Sequence, residues 1–384
     1  MHLNRGTRTL IVFTLFTAGC IEPYIPRIGE DPGNYYVVSG TVTDQEGYQL
    51  VDISTASLIS KAEYLPVSGC LVEIQDDKGN VFEGEQIDAG KYRVWMNAAS
   101  LSAGTAYRVH ITTGEGAEII SAYDTMPEPA VLDSVYFERT ELPTTDPDQF
   151  TTGIQFYLDM RGSGTDSRFY RWGVEATWEY HAAYPKEYYY DGSIKRVFPP
   201  DYSQKVCWLT ETIRTVFTLD TRKLVSNSYK RLPLHFVDNT TTRLYEGYYL
   251  KVDQYALSKP AYDFWEQLRI NGQEQGGLYD KQPLAVEGNL HHVTNPGQKV
   301  LGYFGASGVS RKEIFVHAIR DMGIYYDSIC GPMSLGRMGW REYPPYFYPV
   351  YIVYIRNALQ IIDKSCVECT YSGGTNVKPD FWKW

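Results

Sequence analysis

Six cysteines, seven histidines and 46 acidic side chains are the residues of this 384-residue chain that could carry covalent, metal or acid–base chemistry. Cys366-Val367-Glu368-Cys369 has thioredoxin-like spacing, but such a pair needs a helix N-terminus to lower its thiol pKa, and the loop-forming run Ser372-Gly373-Gly374-Thr375-Asn376 follows. A four-thiolate zinc site with Cys207 and Cys330 would lack a second C-x-x-C. Adjacent His291 and His292 would point to opposite faces of a strand and could not chelate one ion. No metal and no cofactor are expected. The chain has no G-x-x-x-x-G-K-[ST], no G-x-S-x-G and no H-E-x-x-H, so phosphate-loop, serine-hydrolase and zincin chemistry are not indicated. Carboxylates are plentiful, and a glycosidase pair is defined in space rather than in sequence. The net charge of −10 argues against a nucleic-acid partner, because phosphate backbones are bound by clustered Lys and Arg.

The cysteines gain meaning from the N-terminus. Arg5 and Arg8 precede the apolar stretch Leu10–Ala18, and Ala18-Gly19 stand before Cys20. Residues 1–19 read as a signal peptide. Their junction with Cys20 resembles a bacterial lipobox, which implies cleavage after Gly19 and lipidation of Cys20. Residues 20–34 hold Pro23, Pro26, Pro32, Gly29 and Gly33 and read as an extended tether. Export favours disulfides, so Cys207, Cys330, Cys366 and Cys369 are expected to form two bridges, with three connectivities open. Cys70 precedes Leu71-Val72 and reads as a buried free thiol.

The elements that must position these residues are mostly strands. Residues 35–128 show about seven short alternating runs between turns, such as Lys91–Met96 with Tyr92, Val94 and Met96 on one face. This is the pattern of an immunoglobulin-like or transthyretin-like β-sandwich. Met126-Pro127-Glu128-Pro129 reads as a boundary, and residues 129–384 as a larger β-rich domain. One helix is clear: Ser258 as N-cap, Pro260 in the first turn, an apolar face of Ala261, Phe264, Trp265 and Leu268, and Gly272 just past its end. Residues 181–204 and 271–299 read as loops.

Tyrosine is the compositional outlier, with 33 residues. Trp340, Tyr343, Tyr346, Phe347, Tyr348 and Tyr351 crowd one short segment, and Tyr184, Tyr188, Tyr189 and Tyr190 another. Tyr and Trp supply rigid contact area at interfaces, which makes the first cluster the candidate interaction surface.

The C-terminal run CVECTYSGGTNVKPDFW resembles the closing signature of a Bacteroidota outer-membrane lipoprotein family, domain-of-unknown-function family 4249. The resemblance extends to Cys207-Trp208, to Leu257–Trp265, to Gly288-Asn289-Leu290 and to Val300–Gly308. It implies an immunoglobulin-like N-terminal domain and a lipid-anchored protein at the outer membrane, on the cell surface or the periplasmic face. The implied partner is an outer-membrane β-barrel, a TonB-dependent receptor, served as accessory or ligand-capture subunit. No catalytic residues come with the resemblance. The competing expectations are a cell-envelope assembly lipoprotein and a surface carbohydrate-active hydrolase with a carboxylate pair.

Overall fold

Alternation of buried positions with exposed or half-buried ones, as in Leu71–Asp76 and Lys91–Met96, builds a protein made mostly of sheet. The computed structural model describes residues 35–57, 63–144, 146, 148–162, 167–273, 286–323, 330–334, 339 and 343–383. The signal peptide, Cys20, the tether and Trp340 lie outside the described residues. In chain order the elements are β1 (Tyr36–Thr43), β2 (Gly47–Thr55), β3 (Leu65–Pro66), β4 (Leu71–Asp76), β5 (Val81–Asp88), β6 (Lys91–Met96), β7 (Ala106–Thr112), β8 (Glu118–Ser121) and β9 (Asp124–Thr125). There follow β10 (Val131–Pro143), β11 (Phe150–Arg161), β12 (Phe169–His181), β13 (Lys186–Tyr190), β14 (Ile194–Asp201), β15 (Val206–Asp220), β16 (Ser228–Asp238) and β17 (Gly247–Leu257). The chain continues with α1 (Lys259–Gln273), β18 (Leu290–His292), β19 (Val300–Ser307), β20 (Val309–His317), β21 (Val350–Ile355) and β22 (Ala358–Ile362).

The first sheet system runs β18-β8-β7-β4-β5-β6-β2-β1-β19. It folds around an aliphatic core of Val38, Val51, Ile53, Val72, Ile74, Val94, Val109 and Ile111. The sandwich expected over residues 35–128 thus takes in two later strands: β18 pairs with β8, and β19 lies parallel to β1 from Tyr36↔Val300 to Thr43↔Ser307. Phe304 of β19 is fully buried in that core. Two glycines permit the seam. Gly302 has φ +98°, and a Cβ there would stand 1.9 Å from the Val38 carbonyl oxygen. A Cβ on Gly308 would stand 2.4 Å from the Pro129 nitrogen. Asp124 adds a carboxylate that accepts from the Ala306 amide at 2.9 Å.

A second sandwich stacks β10-β11-β16 on β15-β12-β17-β20. Ile154, Phe156, Leu158, Trp172, Val174, Tyr248, Leu250 and Val252 fill its interior. Gln254 crosses this core, accepting from Trp172 Nε1 at 3.0 Å and donating to the Ala130 carbonyl at 3.0 Å, so its burial leaves no unmet polar demand there.

Helix α1 seats on both sandwiches. The Ser258 hydroxyl accepts from the Ala261 amide at 3.2 Å, as an N-cap does. Phe264 packs against Tyr303 of β19, and Tyr262 against Phe169 of β12. The expected stop at Gly272 is corrected: the helix runs through it to Gln273. Gly272 takes no left-handed conformation, and without that it is no C-cap signal.

A third, smaller sheet has the order β14-β13-β21-β22. Residues 181–204, expected as a loop, instead contain the β13–β14 hairpin. Gly192 at its turn has φ +105°, so Asp191-Gly192 is the hairpin signal that could have revealed it.

Candidate interaction surface

The small sheet gathers both tyrosine clusters. Tyr188, Tyr189 and Tyr190 of β13 pair with Ile352, Tyr351 and Val350 of β21. Alternation then sorts the rings. Tyr184, Tyr189 and Tyr351 share one face with Val353 and Ile362, and Tyr188, Tyr190, Tyr343 and Tyr348 share the other with Val350, Ile352 and Ile361. Tyr351 therefore leaves the candidate surface. It is 1% exposed, and its hydroxyl donates to the Glu368 carboxylate. Its place on the inner face of β21 makes it core.

Tyr346 and Phe347 are the exposed members, at 78% and 48%. Their rings lie 4.5 Å apart, and Phe347 meets Tyr343 edge-on at 6.2 Å. Pro344 and Pro345 open the short 3-10 turn that carries them, and the Tyr348 hydroxyl donates to the Tyr343 carbonyl at 3.1 Å. Prolines fix the backbone in advance, so this pair is a rigid aromatic tip rather than a pair of loose side chains. Tyr348 and Tyr343 are half-buried and hold it from below.

Two disulfides tie this sheet down. Cys207 of β15 bonds Cys369, and Cys330 bonds Cys366. The C-x-x-C pair thus splits between two bridges, and all four candidate cysteines are used. Cys70 remains a buried free thiol, flanked by the Tyr92 hydroxyl, which accepts from its amide at 3.0 Å. The C-terminal segment also clasps the second sandwich. Phe381 stacks on Tyr249 at 4.3 Å, and Trp382 sits between Phe315 and Trp208.

Sequence reasoning missed a second exposed aromatic pair, Tyr48 and Trp95, 4.9 Å apart on the outer face of β2 and β6. Arg93 lies over the Tyr48 ring at 4.1 Å, and Leu50 is exposed beside them. The signal was present: if Tyr92, Val94 and Met96 face inward, Arg93 and Trp95 must face outward.

A cavity of about 410 Å³ opens between α1 and the strands β15 and β16. Asp220, Lys223, Tyr262, Glu266 and Arg269 line it over Leu219 and Leu232. Hydrogen bonds from Arg222 hold the Asp220 carboxyl below the usual carboxylate range, and those from Arg269 do the same for Glu266. Thr218 also donates to Glu266 at 2.6 Å. Burial pushes the Tyr262 hydroxyl up to about 12. Both carboxylates are therefore ionised and already bonded at neutral pH. Among the described residues no group of His, Cys, Asp and Glu is arranged to hold a metal ion.

These features define a mainly β protein of two sandwiches and a disulfide-tied aromatic sheet, presenting rigid aromatic surface. The chain belongs to the domain-of-unknown-function family DUF4249, whose family model matches residues 21–313. No curated protein matches the sequence. Among solved structures it is similar to trypsin-activated alpha-2-macroglobulin from Escherichia coli, at 11% identity and a TM-score of 0.20, over 61% of this chain and 15% of that one.

Proposed function

We propose that this protein is a non-enzymatic lipoprotein, anchored to the outer membrane through Cys20, that serves a TonB-dependent transporter as an accessory or ligand-capture subunit. The observation that carries this reading is the aromatic tip: Tyr346 and Phe347 stand exposed on a proline-braced turn above a sheet held by two disulfides. Exposed, pre-organised aromatic rings bind a protein surface with little loss of side-chain entropy. The residues ahead of β1 supply the sequence signals of export and acylation.

The hydrolase reading is weak at the carboxylate-lined cavity between α1, β15 and β16. A glycosidase needs one carboxylic acid with a raised pKa to protonate the leaving group. Asp220 and Glu266 are both shifted the other way by their arginines.

The test is purification from native membranes in mild detergent, with wild type and the double variant Tyr346→Ser/Phe347→Ser. Wild type is expected to bring a β-barrel receptor in stoichiometric amount, and the variant to lose at least tenfold of it. Recovery of wild type alone, or with assembly machinery only, would overturn the proposal.

A further inference from the structure

Sheet β15-β12-β17-β20 turns one face to the core, and alternation sends Arg171, Gly173 and Glu175 of β12 to the other. Neighbouring strands set out rows on that outer face: Arg171 beside Tyr255, then Gly173 with Asp253 and Arg311, then Glu175 with Lys251 and Glu313, then Thr177 with Tyr249 and Phe315. Helix α1 covers the first row through Trp265, and the C-terminal clasp covers the last through Phe381. Between these two covered ends lie the open rows of Gly173 and Glu175, about 7 Å apart at roughly 3.3 Å per strand residue. Gly173 makes room for the Tyr255 ring, which would lie 3.4 Å from a Cβ at that position.

Arg171 stands at the α1 end. Its guanidinium lies 4.4 Å from the Tyr255 ring and 4.1 Å from the Trp265 ring. Both faces of the cation are thus occupied, but its edge is not. Nε is buried with no hydrogen-bond partner, and Asp253 acts on the guanidinium through its charge without a direct bond. Asp253 is taken by Arg311 through contacts of 2.5 and 3.1 Å. Lys251 is likewise held by Glu175 at 2.7 Å. Burial of a guanidinium without a directly bonded anion is costly, whereas a planar fork held between two rings is pre-oriented for two-point recognition of an oxyanion.

We propose that Arg171 is the anchor of a binding site on this outer face for a ligand bearing a carboxylate or phosphate group, with Tyr255 and Trp265 fixing the guanidinium in plane. The inference does not rest on docking at Tyr346 and Phe347, and either can fail without the other. Calorimetric titration with citrate and with inorganic phosphate, against sodium chloride at equal ionic strength, tests it. Wild type is expected to bind at one site. Arg171→Met is expected to fold as wild type does and to bind at least tenfold more weakly. Arg171→Lys, which keeps the charge and loses the fork, should fall between them. Binding by Arg171→Met within twofold of wild type, or no binding of either anion by wild type, overturns the proposal. A tungstate soak of wild-type crystals gives a readout that needs no variant: anomalous density at the Arg171 guanidinium supports the site, and its absence there overturns it.

Discussion

The first sandwich and the C-terminal sheet solve the same packing problem with different materials. The first has a large core of Val and Ile, closed by Phe304, with its single cysteine unbridged. The C-terminal sheet splits its few buried side chains between two faces: Tyr351, Val353 and Ile362 on one, Tyr190, Val350, Ile352 and Ile361 on the other. A small core buries too little apolar surface to offset the entropy of ordering its strands. Two disulfides and the stacked C-terminal clasp supply what that core lacks. The large core needs no crosslink, whereas the small one, held by two, carries the aromatic tip.

The largest effect should come from the bridge that crosses that divide. Cys207 and Cys369 are 162 residues apart, and removing such a crosslink costs about 5 kcal/mol by chain-entropy reasoning. In Cys207→Ser/Cys369→Ser, hydrogen exchange should show β13, β14, β21 and β22 losing protection while β1 to β9 keep theirs. Equal loss in both regions would break the comparison.

Next comes Phe304→Ala, expected to cost about 3–5 kcal/mol as a buried large-to-small change. Its site lies far along the chain, yet denaturant unfolding followed at the Tyr48–Trp95 pair should report the loss, because β19 belongs to the first sandwich. If only the second sandwich loosens, the seam is not cooperative.

The third is a pH effect inside the second sandwich. Burial pulls the His235 pKa down to about 4, and its Nε2 has no hydrogen-bond partner. The folded state thus prefers the neutral ring. The stability linked to this residue is full above the unfolded value of about 6.5 and is lost as pH falls from there toward 4. His235→Phe should flatten that part of the stability–pH profile, measured by urea titration at each pH. An unchanged slope would rule out His235 as its source.

The smallest effect on stability is expected at the tip. Tyr346→Ser/Phe347→Ser should move the melting free energy by no more than about 0.5 kcal/mol, as exposed substitutions do. A larger loss would make these rings part of the small sheet's core and sharpen the comparison in the opposite sense.

Local sequence carried most of the first sandwich. Lys91–Met96 is a strand at the expected bounds, because hydrophobic alternation and glycine turns act within a few residues. The buried state of Cys70 and the Ser258 cap were legible for the same reason. The β13–β14 hairpin was obscured by three consecutive tyrosines, in which a period of two cannot be seen. Tyr351 looked like its neighbours Tyr346 and Phe347 because residue type does not encode which side of a sheet is covered.

What the amino-acid sequence by itself determined is therefore local: strand identity, turn positions, the helix start and the set of cysteines available for bridging. The tertiary structure alone decided which cysteines pair, that β19 completes a sandwich begun at Tyr36, and that Arg171 meets Tyr255 and Trp265 on one face. These outcomes depend on contacts between residues far apart in the chain, whose closure entropy is overcome only when whole sheets stack. A pattern of residue types within a short window carries no record of such contacts.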